Sequence, residues 1–153
     1  MNPRPVVALT PTNLSCSTPC NGSVALNFTT PTTPAYTFAW SNGATTQNIS
    51  GLCTGNYAVT VTDANTCTAT ANTTITAPTP VTATLATTNA SCNNTCNGVI
   101  AVTASGGTPG YQYGLNGGAN QASNNFSALC DGAYVVRVTD ANGCFITVNT
   151  SIT

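Results

Sequence analysis

The chain is an internal duplication, and no other feature of the sequence constrains its fold as strongly. Residues 5–78 and 80–153 align along their length, with matched positions 75 to 77 residues apart. Each copy is small for a domain, so its hydrophobic core is thin and covalent support is expected. We therefore predict two modules, at 1–78 and 79–153, joined by a short, semi-rigid Pro-rich segment.

Cysteines are the second feature that both copies share. The chain has eight, and each copy holds four of them at matching positions. So many cysteines in small modules predict a disulfide framework. Because disulfides persist only in oxidising compartments, we expect a secreted protein located outside the cell or on the surface of a bacterial cell.

Alternation of large apolar residues with small or polar ones predicts β-strands throughout both copies. Val24, Leu26 and Phe28 alternate with Ala and Asn, for example, and further strands in the first copy follow the same rule. With a first strand around Val6 and Ala8 and a short segment at 47–52, each copy has six or seven strands. Such strand and turn spacing predicts an all-β chain, built of two tandem immunoglobulin-like β-sandwich modules.

Aromatic residues occupy positions that suit this fold. Trp40 falls on the predicted third strand, where such sandwiches bury a large aromatic, and Tyr57 and Tyr134 begin the predicted sixth strand, the place of a tyrosine corner. The stripe formed by Tyr36, Phe38 and Trp40 has two interpretations. We favour a core role because each module has few other large apolar residues, whereas an exposed stripe would indicate a carbohydrate-binding module.

The predicted topology suggests how the cysteines pair, although four cysteines allow three pairings. The first loop and the loop before the sixth strand lie at the same end of such a sandwich, which brings Cys20 near Cys53. Cys16 and Cys67 then pair by elimination, and a Cys16–Cys20 bridge is the alternative. The same assignment in the second copy pairs Cys96 with Cys130 and Cys92 with Cys144.

The near absence of charge excludes several functions. Two basic and three acidic residues are present and there is no His, so the net charge is −1. Nucleic-acid binding requires many Lys and Arg, and catalysis usually requires general acids and bases that this chain lacks. We therefore predict no enzyme, no catalytic residue, no metal site and no cofactor. Asp63 and Asp140 are equivalent turn residues whose carboxylates are expected to bond nearby backbone.

Several motifs, taken together, are typical of one known family. The first copy contains Cys20-Asn-Gly-Ser-Val24, then Tyr36-Thr-Phe-Ala-Trp40, then Tyr57-Ala-Val-Thr-Val61 followed by Thr-Asp-Ala-Asn. The second copy contains Gly106-Gly-Thr-Pro-Gly-Tyr111 and Val138-Thr-Asp-Ala-Asn-Gly-Cys144. Together these motifs resemble the SprB repeat, and the resemblance covers nearly the whole chain.

The resemblance implies immunoglobulin-like modules of long surface adhesins in gliding bacteria, exported by the type IX route and serving in attachment, motility or fibre formation. SprB-type repeats commonly have cysteines at the positions of Cys16 and Cys67, which agrees with the pairing above. The first copy departs from the family at residues 30–35, where Thr-Pro-Thr-Thr-Pro-Ala replaces the favoured Gly-Gly-Thr-Pro.

These observations favour a non-enzymatic structural or adhesive protein, with a carbohydrate-binding module as the alternative. The two chain ends resemble the two halves of the joint at 75–81, which suggests head-to-tail assembly. The predicted partners are therefore copies of the same chain or further repeats, with a neighbour completing an edge strand, or a surface polysaccharide. No nucleic acid and no membrane span is predicted, since no apolar run is long enough.

Attached sugar would keep such a charge-poor surface from associating non-specifically. The sequence contains nine Asn-x-Ser/Thr sequons. The candidate glycosylation sites among them are Asn13, Asn27, Asn48, Asn72, Asn89, Asn125 and Asn149.

Overall fold

The computed structural model of the chain describes residues 4–29, 35–91 and 96–153, and these contain β-strands but no helix. The chain divides into two compact units, Met1–Ala77 and Pro78–Thr153, called module 1 and module 2 below. Each module has six strands in its described residues. The predicted all-β fold class is confirmed.

The strand order is the same in both modules. Module 1 contains Val7–Thr12 (β1), Gly22–Phe28 (β2), Thr37–Trp40 (β3), Ile49–Leu52 (β4), Gly55–Thr62 (β5) and Thr68–Ile75 (β6). Module 2 contains Thr82–Thr88 (β7), Gly98–Ser105 (β8), Gln112–Leu115 (β9), Asn125–Leu129 (β10), Gly132–Thr139 (β11) and Phe145–Ile152 (β12).

Each module is a sandwich of two antiparallel sheets of three strands. The sheet orders are β1-β2-β4 and β3-β5-β6 in module 1, and β10-β8-β7 and β12-β11-β9 in module 2. An immunoglobulin sandwich places its first, second and fifth strands in one sheet and its third, sixth and seventh in the other. The described residues show no counterpart of the fourth immunoglobulin strand, so the predicted sixth strand is β5 in module 1 and β11 in module 2.

Alternation along the strands builds the core, as the sequence predicted. In module 1 the inward valine and leucine side chains of β2 and β5 are almost fully buried, and Trp40 is only 4% exposed. The indole N–H of Trp40 donates to the backbone oxygen of Thr46 at 2.8 Å, which satisfies its one polar group. The buried core of module 1 consists of Leu14, Val24, Leu26, Trp40, Ile49, Leu52, Val59, Val61 and Ile75.

The first strand begins at Val7, next to Val6, and alternation determines which of its side chains face the core. Val6 and Ala8, which the sequence suggested for it, are exposed, while Val7 and Leu9 pack against the core. In a strand, successive side chains point to opposite faces, so only one of the two sets can be buried. The larger Leu9 side chain occupies the inward position.

The two ends of each sandwich are distinct, because the chain enters at one and leaves at the other. In module 1 we call one end the entry pole: β1 begins there opposite the end of β2, and β5 turns into β6 there. We call the other end the exit pole: β1 ends there, β2 begins there and β6 ends there. The strand pairs Val7–Phe28, Thr37–Thr62 and Thr62–Thr68 mark the entry pole, and Thr12–Ser23, Gly22–Leu52 and Gly55–Ile75 mark the exit pole. Module 2 has the same two poles.

One disulfide joins loops at the exit pole of each module. Cys20 is bonded to Cys53 in module 1, and Cys96 is bonded to Cys130 in module 2. These are the pairs that the sandwich topology had placed close together.

The predicted Cys16–Cys67 bond is wrong, because Cys67 is a free cysteine. Leu14 donates its N–H to the oxygen of Thr76 at 3.0 Å, so Cys16 follows a residue held at the exit pole. Cys67 immediately precedes β6 at the entry pole, and an eight-residue strand spans roughly 25 Å at about 3.3 Å per residue. A disulfide requires Cα atoms within about 7 Å. The predicted Cys92–Cys144 bond involves Cys92, which lies outside the described residues.

Candidate functional site

The entry pole of each module is organised by a buried aspartate. In module 1, Asp63 Oδ1 accepts the N–H groups of Asn65 at 2.9 Å and Cys67 at 2.8 Å. In module 2, Asp140 Oδ1 accepts those of Asn142 and Cys144 at the same two distances. The prediction that these carboxylates bond local backbone is therefore confirmed.

Asp140 also binds a loop that is distant in sequence. Its second oxygen, Oδ2, accepts the N–H of Thr108 at 2.8 Å, and the side-chain amide of Asn142 donates to the Thr108 hydroxyl at 2.9 Å. Gly107 lies so close that an added Cβ would be 2.5 Å from Asp140 Oδ2 and 2.6 Å from a methyl of Val81, and its φ of +59° favours glycine. The Gly-Gly-Thr-Pro loop is thus held by hydrogen bonds and close packing against the turn that contains Asp140.

The carboxyl of Asp140 is held in its ionised form. Burial raises the pKa of Asp140, but backbone hydrogen bonds from Thr108, Cys144, Asn142 and Gly143 outweigh burial, and the net result is a lowered pKa. A group whose pKa is lower in the folded than in the unfolded state contributes stability above its unfolded pKa and loses that contribution as the pH falls through the folded value.

We expect the stability of module 2 to decline as the pH falls below about 4, and Asp140→Asn to lack this part of the acid dependence. At neutral pH the variant should be less stable by about 1–3 kcal/mol, since an amide N–H₂ would face the N–H of Thr108. Thermal unfolding followed by circular dichroism measures both effects, while fluorescence of Trp40, the only tryptophan, reports module 1 separately. Asp131→Asn, at an exposed position, is the control. An Asp140→Asn variant with wild-type acid dependence would contradict the assignment.

The exit pole combines the disulfide with a tyrosine corner. Tyr57 donates its hydroxyl to the oxygen of Cys53 at 3.1 Å, and Tyr134 donates to that of Cys130 at 2.9 Å. Both tyrosines therefore hold the half-cystine that precedes their strand, at the position where a tyrosine corner was predicted.

Close packing explains the repeated Cys-Asn-Gly motif at this pole. A Cβ added to Gly22 would lie 2.8 Å from Cγ2 of Ile75, and one added to Gly98 would lie 2.7 Å from Cγ2 of Ile152. Each isoleucine is 1% exposed. Glycine is thus required because the last strand of each module packs directly on the start of the second strand of the same module.

The same repeat pattern is found by comparison with known families. Residues 8–45 and 84–120 match the SprB repeat. The two matches begin in β1 and β7, include the third strand of each module, and occupy equivalent positions in the two sandwiches. The chain is a tandem pair of SprB repeats. No curated protein matches the sequence.

In this SprB pair, most of the ionisable side chains have structural contacts. Arg4 donates to the oxygen of Thr68 at 2.9 Å, which ties the chain entry to the start of β6. The guanidinium carbon of Arg137 lies 4.0 Å from the centre of the Phe145 ring. The two buried aspartates bond backbone as described above. The described residues contain no group of three metal-ligating side chains, and no helix among them is long and apolar enough to cross a membrane.

Aromatic side chains of the two SprB repeats belong mainly to the cores. Trp40 and Tyr113 are buried, Phe28 stacks on Tyr36 with ring centres 4.1 Å apart, and the Tyr111 hydroxyl bonds the oxygen of Gly106. This arrangement places the stripe of module 1 in the core, the interpretation favoured from the sequence.

The seven candidate glycosylation sites are all exposed. Asn27, Asn72 and Asn149 lie in strands and point outward, whereas the side-chain oxygens of Asn13 and Asn48 accept backbone N–H groups. Their modification stays a prediction, which the intact mass of the natively expressed protein would test.

Sequence reasoning missed the contact between Asp140 and the loop at Thr108. The signal was present, because Gly106-Gly-Thr-Pro belongs to the family motif. Its physical role becomes visible only when strands place residues 32 positions apart side by side.

Proposed function

We propose that this protein is a non-enzymatic, extracellular structural or adhesive repeat protein that serves as a segment of a bacterial surface adhesin or fibre. The SprB repeat is a structural repeat, and disulfides belong to an oxidising environment. Both facts support a position outside the cell. The observation that carries the proposal is the opposite placement of entry and exit poles in each module.

Opposite poles suit a protein that transmits force or provides reach. Because the polypeptide enters a module at one end of the strands and leaves at the other, tension runs along the strand direction. The exit-pole disulfide and the tyrosine corner brace the loops at the end where tension is applied. The aspartate turn does the same at the entry pole.

End-to-end contact between modules is the mode of assembly that we propose, in preference to strand donation. Strand donation that replaces a missing last strand needs an open groove in the acceptor. The groove beside β5 and β11 is filled by the module's own last strand, whose Ile75 or Ile152 is buried in the core. The proposed partner is therefore a second copy of the chain, or a further repeat, that meets a pole.

We do not favour the carbohydrate-binding alternative. A sugar-binding platform needs an aromatic face open to solvent, whereas Trp40 is 4% exposed and Tyr113 is 7% exposed. The carbohydrate-binding function would be supported if the purified chain bound cell-surface polysaccharide and lost this binding when an exposed aromatic such as Phe145 was replaced.

Electron microscopy and sedimentation of the purified chain under oxidising conditions test the proposal. We expect filaments one module wide, formed in a concentration-dependent manner, with a repeat along the axis that reflects the module length. A chain that stays monomeric at high concentration and shows no ordered filaments would contradict the fibre role.

A further inference from the structure

The outward face of the sheet β12-β11-β9 in module 2 carries an exposed patch that is both apolar and charged. Val135 is 42% exposed and Phe145 is 58% exposed, and they are two of the three exposed large hydrophobic side chains among the described residues. Arg137 is exposed on the same strand as Val135, and its guanidinium lies over the ring of Phe145. Clustering of exposed apolar side chains on one face of a sheet indicates a contact surface.

The equivalent face of module 1 lacks this patch. The residues that replace Val135, Arg137 and Phe145 there are Ala58, Thr60 and Thr68. Both modules have the same sandwich and the same family pattern, so neither of these requires an apolar, charged face. The outward face of module 2 therefore has a role that the fold alone does not explain.

The opposite charge lies at the other end of the same strand. Asp131 is exposed and directly precedes β11, whereas the other two acidic residues, Asp63 and Asp140, are buried and bond backbone. Gly132 and Arg137 are separated by five strand positions, a distance of about 17 Å at about 3.3 Å per residue. Asp131 and Arg137 of one chain are thus too far apart to pair with each other.

Alternate positions along β11 form a row that is complementary to itself. Ala133, Val135 and Arg137 are exposed on this strand, and Asp131 comes two positions before Ala133. When the row is turned end for end, the acidic position falls on the basic one and the small Ala133 falls on the larger Val135. A two-fold axis between two copies produces this arrangement, because each contact is then made twice with the roles exchanged.

We infer that this face of module 2 pairs with the same face of a second copy, with the two β11 strands running in opposite directions. Arg137 of each copy then lies against Asp131 of the other, and Val135 lies against Ala133 of the other. The guanidinium carbon of Arg137 is 4.0 Å from the centre of the Phe145 ring, a contact that uses one face of the guanidinium and leaves N–H donors at its edge for a carboxylate. The contact is lateral and does not depend on end-to-end assembly.

A single contact of this kind is weak. The overlap from Asp131 to Arg137 measures about 20 Å along the strands and about 15 Å across three strands, roughly 300 Å² per copy, whereas a stable interface buries about 800 Å² per partner. An exposed ion pair adds at most about 1 kcal/mol. We therefore expect free chains to pair only at high concentration. Filaments that repeat the contact should associate side by side, each filament still one module wide.

A polysaccharide is the other occupant that an exposed aromatic suggests. A sugar ring stacks on an open aromatic face, but the guanidinium of Arg137 already lies over the ring of Phe145. A sugar site also gives no reason for an acidic residue at the opposite end of the row. The charge complementarity of Asp131 and Arg137 therefore favours a second copy of the chain.

Sedimentation equilibrium of the full chain over micromolar to millimolar concentrations tests the inference. The chain should be unglycosylated, because Asn149 lies opposite Val135 in the sheet register. We expect Arg137→Asp and Asp131→Arg each to weaken pairing at least about tenfold, since each places like charges together at both symmetric contacts. The two variants mixed in equal amounts should pair with each other, because every contact then joins an acidic to a basic side chain.

Two controls make the charge test specific. The chain that carries both Arg137→Asp and Asp131→Arg keeps the wild-type net charge of −1 and should pair as the wild type does. Thr54→Arg changes the exposed position of module 1 that corresponds to Asp131, and it should leave pairing unchanged.

The outcomes separate this inference from the proposed function. If pairing follows the charge pattern but no filaments form, the inference stands and the fibre role fails. If filaments form but the wild-type chains do not pair, or the single charge changes have no effect, or the mixed variants stay apart, the inference is overturned and the fibre role stands. A chain that stays monomeric and binds polysaccharide through Phe145 would also overturn it.

Discussion

Replacing Cys20 and Cys53 together by Ser should destabilise module 1 by about 4 kcal/mol, the value that the chain-entropy model assigns to a loop of this size. The bond spans 33 residues in sequence and joins the loop before β2 to the loop that follows β4. In the unfolded chain it removes much of the freedom of that loop, so its loss favours unfolding. Both cysteines are exposed, so the serine hydroxyls remain solvated and add no burial cost.

A loss of this size is a large part of the total free energy of unfolding of a small module. Folded domains are stabilised by roughly 0.05–0.15 kcal/mol per residue, so a module of this length has only about 4–11 kcal/mol. The doubly substituted module 1 is therefore expected to unfold at much lower denaturant concentration, or to be partly unfolded without any.

Trp40 makes the test specific to one module. It is the only tryptophan in the chain, and it is buried in the core of module 1. Guanidinium unfolding followed by its fluorescence should shift strongly for the Cys20/Cys53 variant. The matched variant with Cys96 and Cys130 replaced by Ser removes a bond that spans 34 residues in module 2 and should leave the tryptophan transition near its wild-type midpoint. Equal shifts in both variants would show that the bond does not act on its own module.

The strands and the core could be predicted because their signal is local. Alternation at Val24, Leu26 and Phe28, or at Val59 and Val61, determines which side chains face inward once the segment is a strand. The repeat supplied a second, independent copy of each pattern. The edge strand β1 was harder, because four apolar residues in a row, Val6 to Leu9, leave the inward face undecided.

Pairing by elimination failed for a physical reason. It assumed that every cysteine of a module finds its partner inside that module. Cys20 and Cys53 satisfy this assumption because two loops at one pole bring them together, whereas Cys16 and Cys67 are separated by the length of β6. The distance along a strand, which the sequence already contained, is the constraint that decides this point.

The clamp on Asp140 could not be predicted from alternation. It depends on the turn after β11 meeting a glycine-containing loop 32 residues earlier, and on the absence of a side chain at Gly107. Loops have no periodicity, so contacts of this kind become visible only when the surrounding strands are in place. The equivalent loop of module 1 differs in sequence at residues 30–35, which makes Asp140, and not Asp63, the better position for the acid-stability test.

Replacing Ile75 by Ala should cost module 1 about 2–5 kcal/mol, the range for truncating a fully buried isoleucine. Ile75 is 1% exposed and ends the last strand of the module at the exit pole. It packs against Gly22 and the other core residues there, so the truncation leaves a cavity that the disulfide-braced loops cannot easily fill. Denaturant unfolding followed by Trp40 fluorescence measures the loss. Ile152→Ala, the matched change in module 2, should leave this transition unchanged.

The contact with Gly22 gives a sharper form of the same test. Gly22→Ala alone should destabilise module 1, because the new Cβ would lie 2.8 Å from Cγ2 of Ile75. In the variant that carries both Gly22→Ala and Ile75→Ala, the Cγ2 methyl of Ile75 is absent and the added Cβ occupies part of the cavity. The double variant should therefore lose less stability than the sum of the two single losses, as expected for residues in direct contact. It should not recover fully, since the oxygen of Leu52 and a methyl of Leu14 also lie within 3.0 and 3.1 Å of that Cβ. Strict additivity would mean that the last strand does not pack on Gly22, and the explanation of the repeated Cys-Asn-Gly motif would then be wrong.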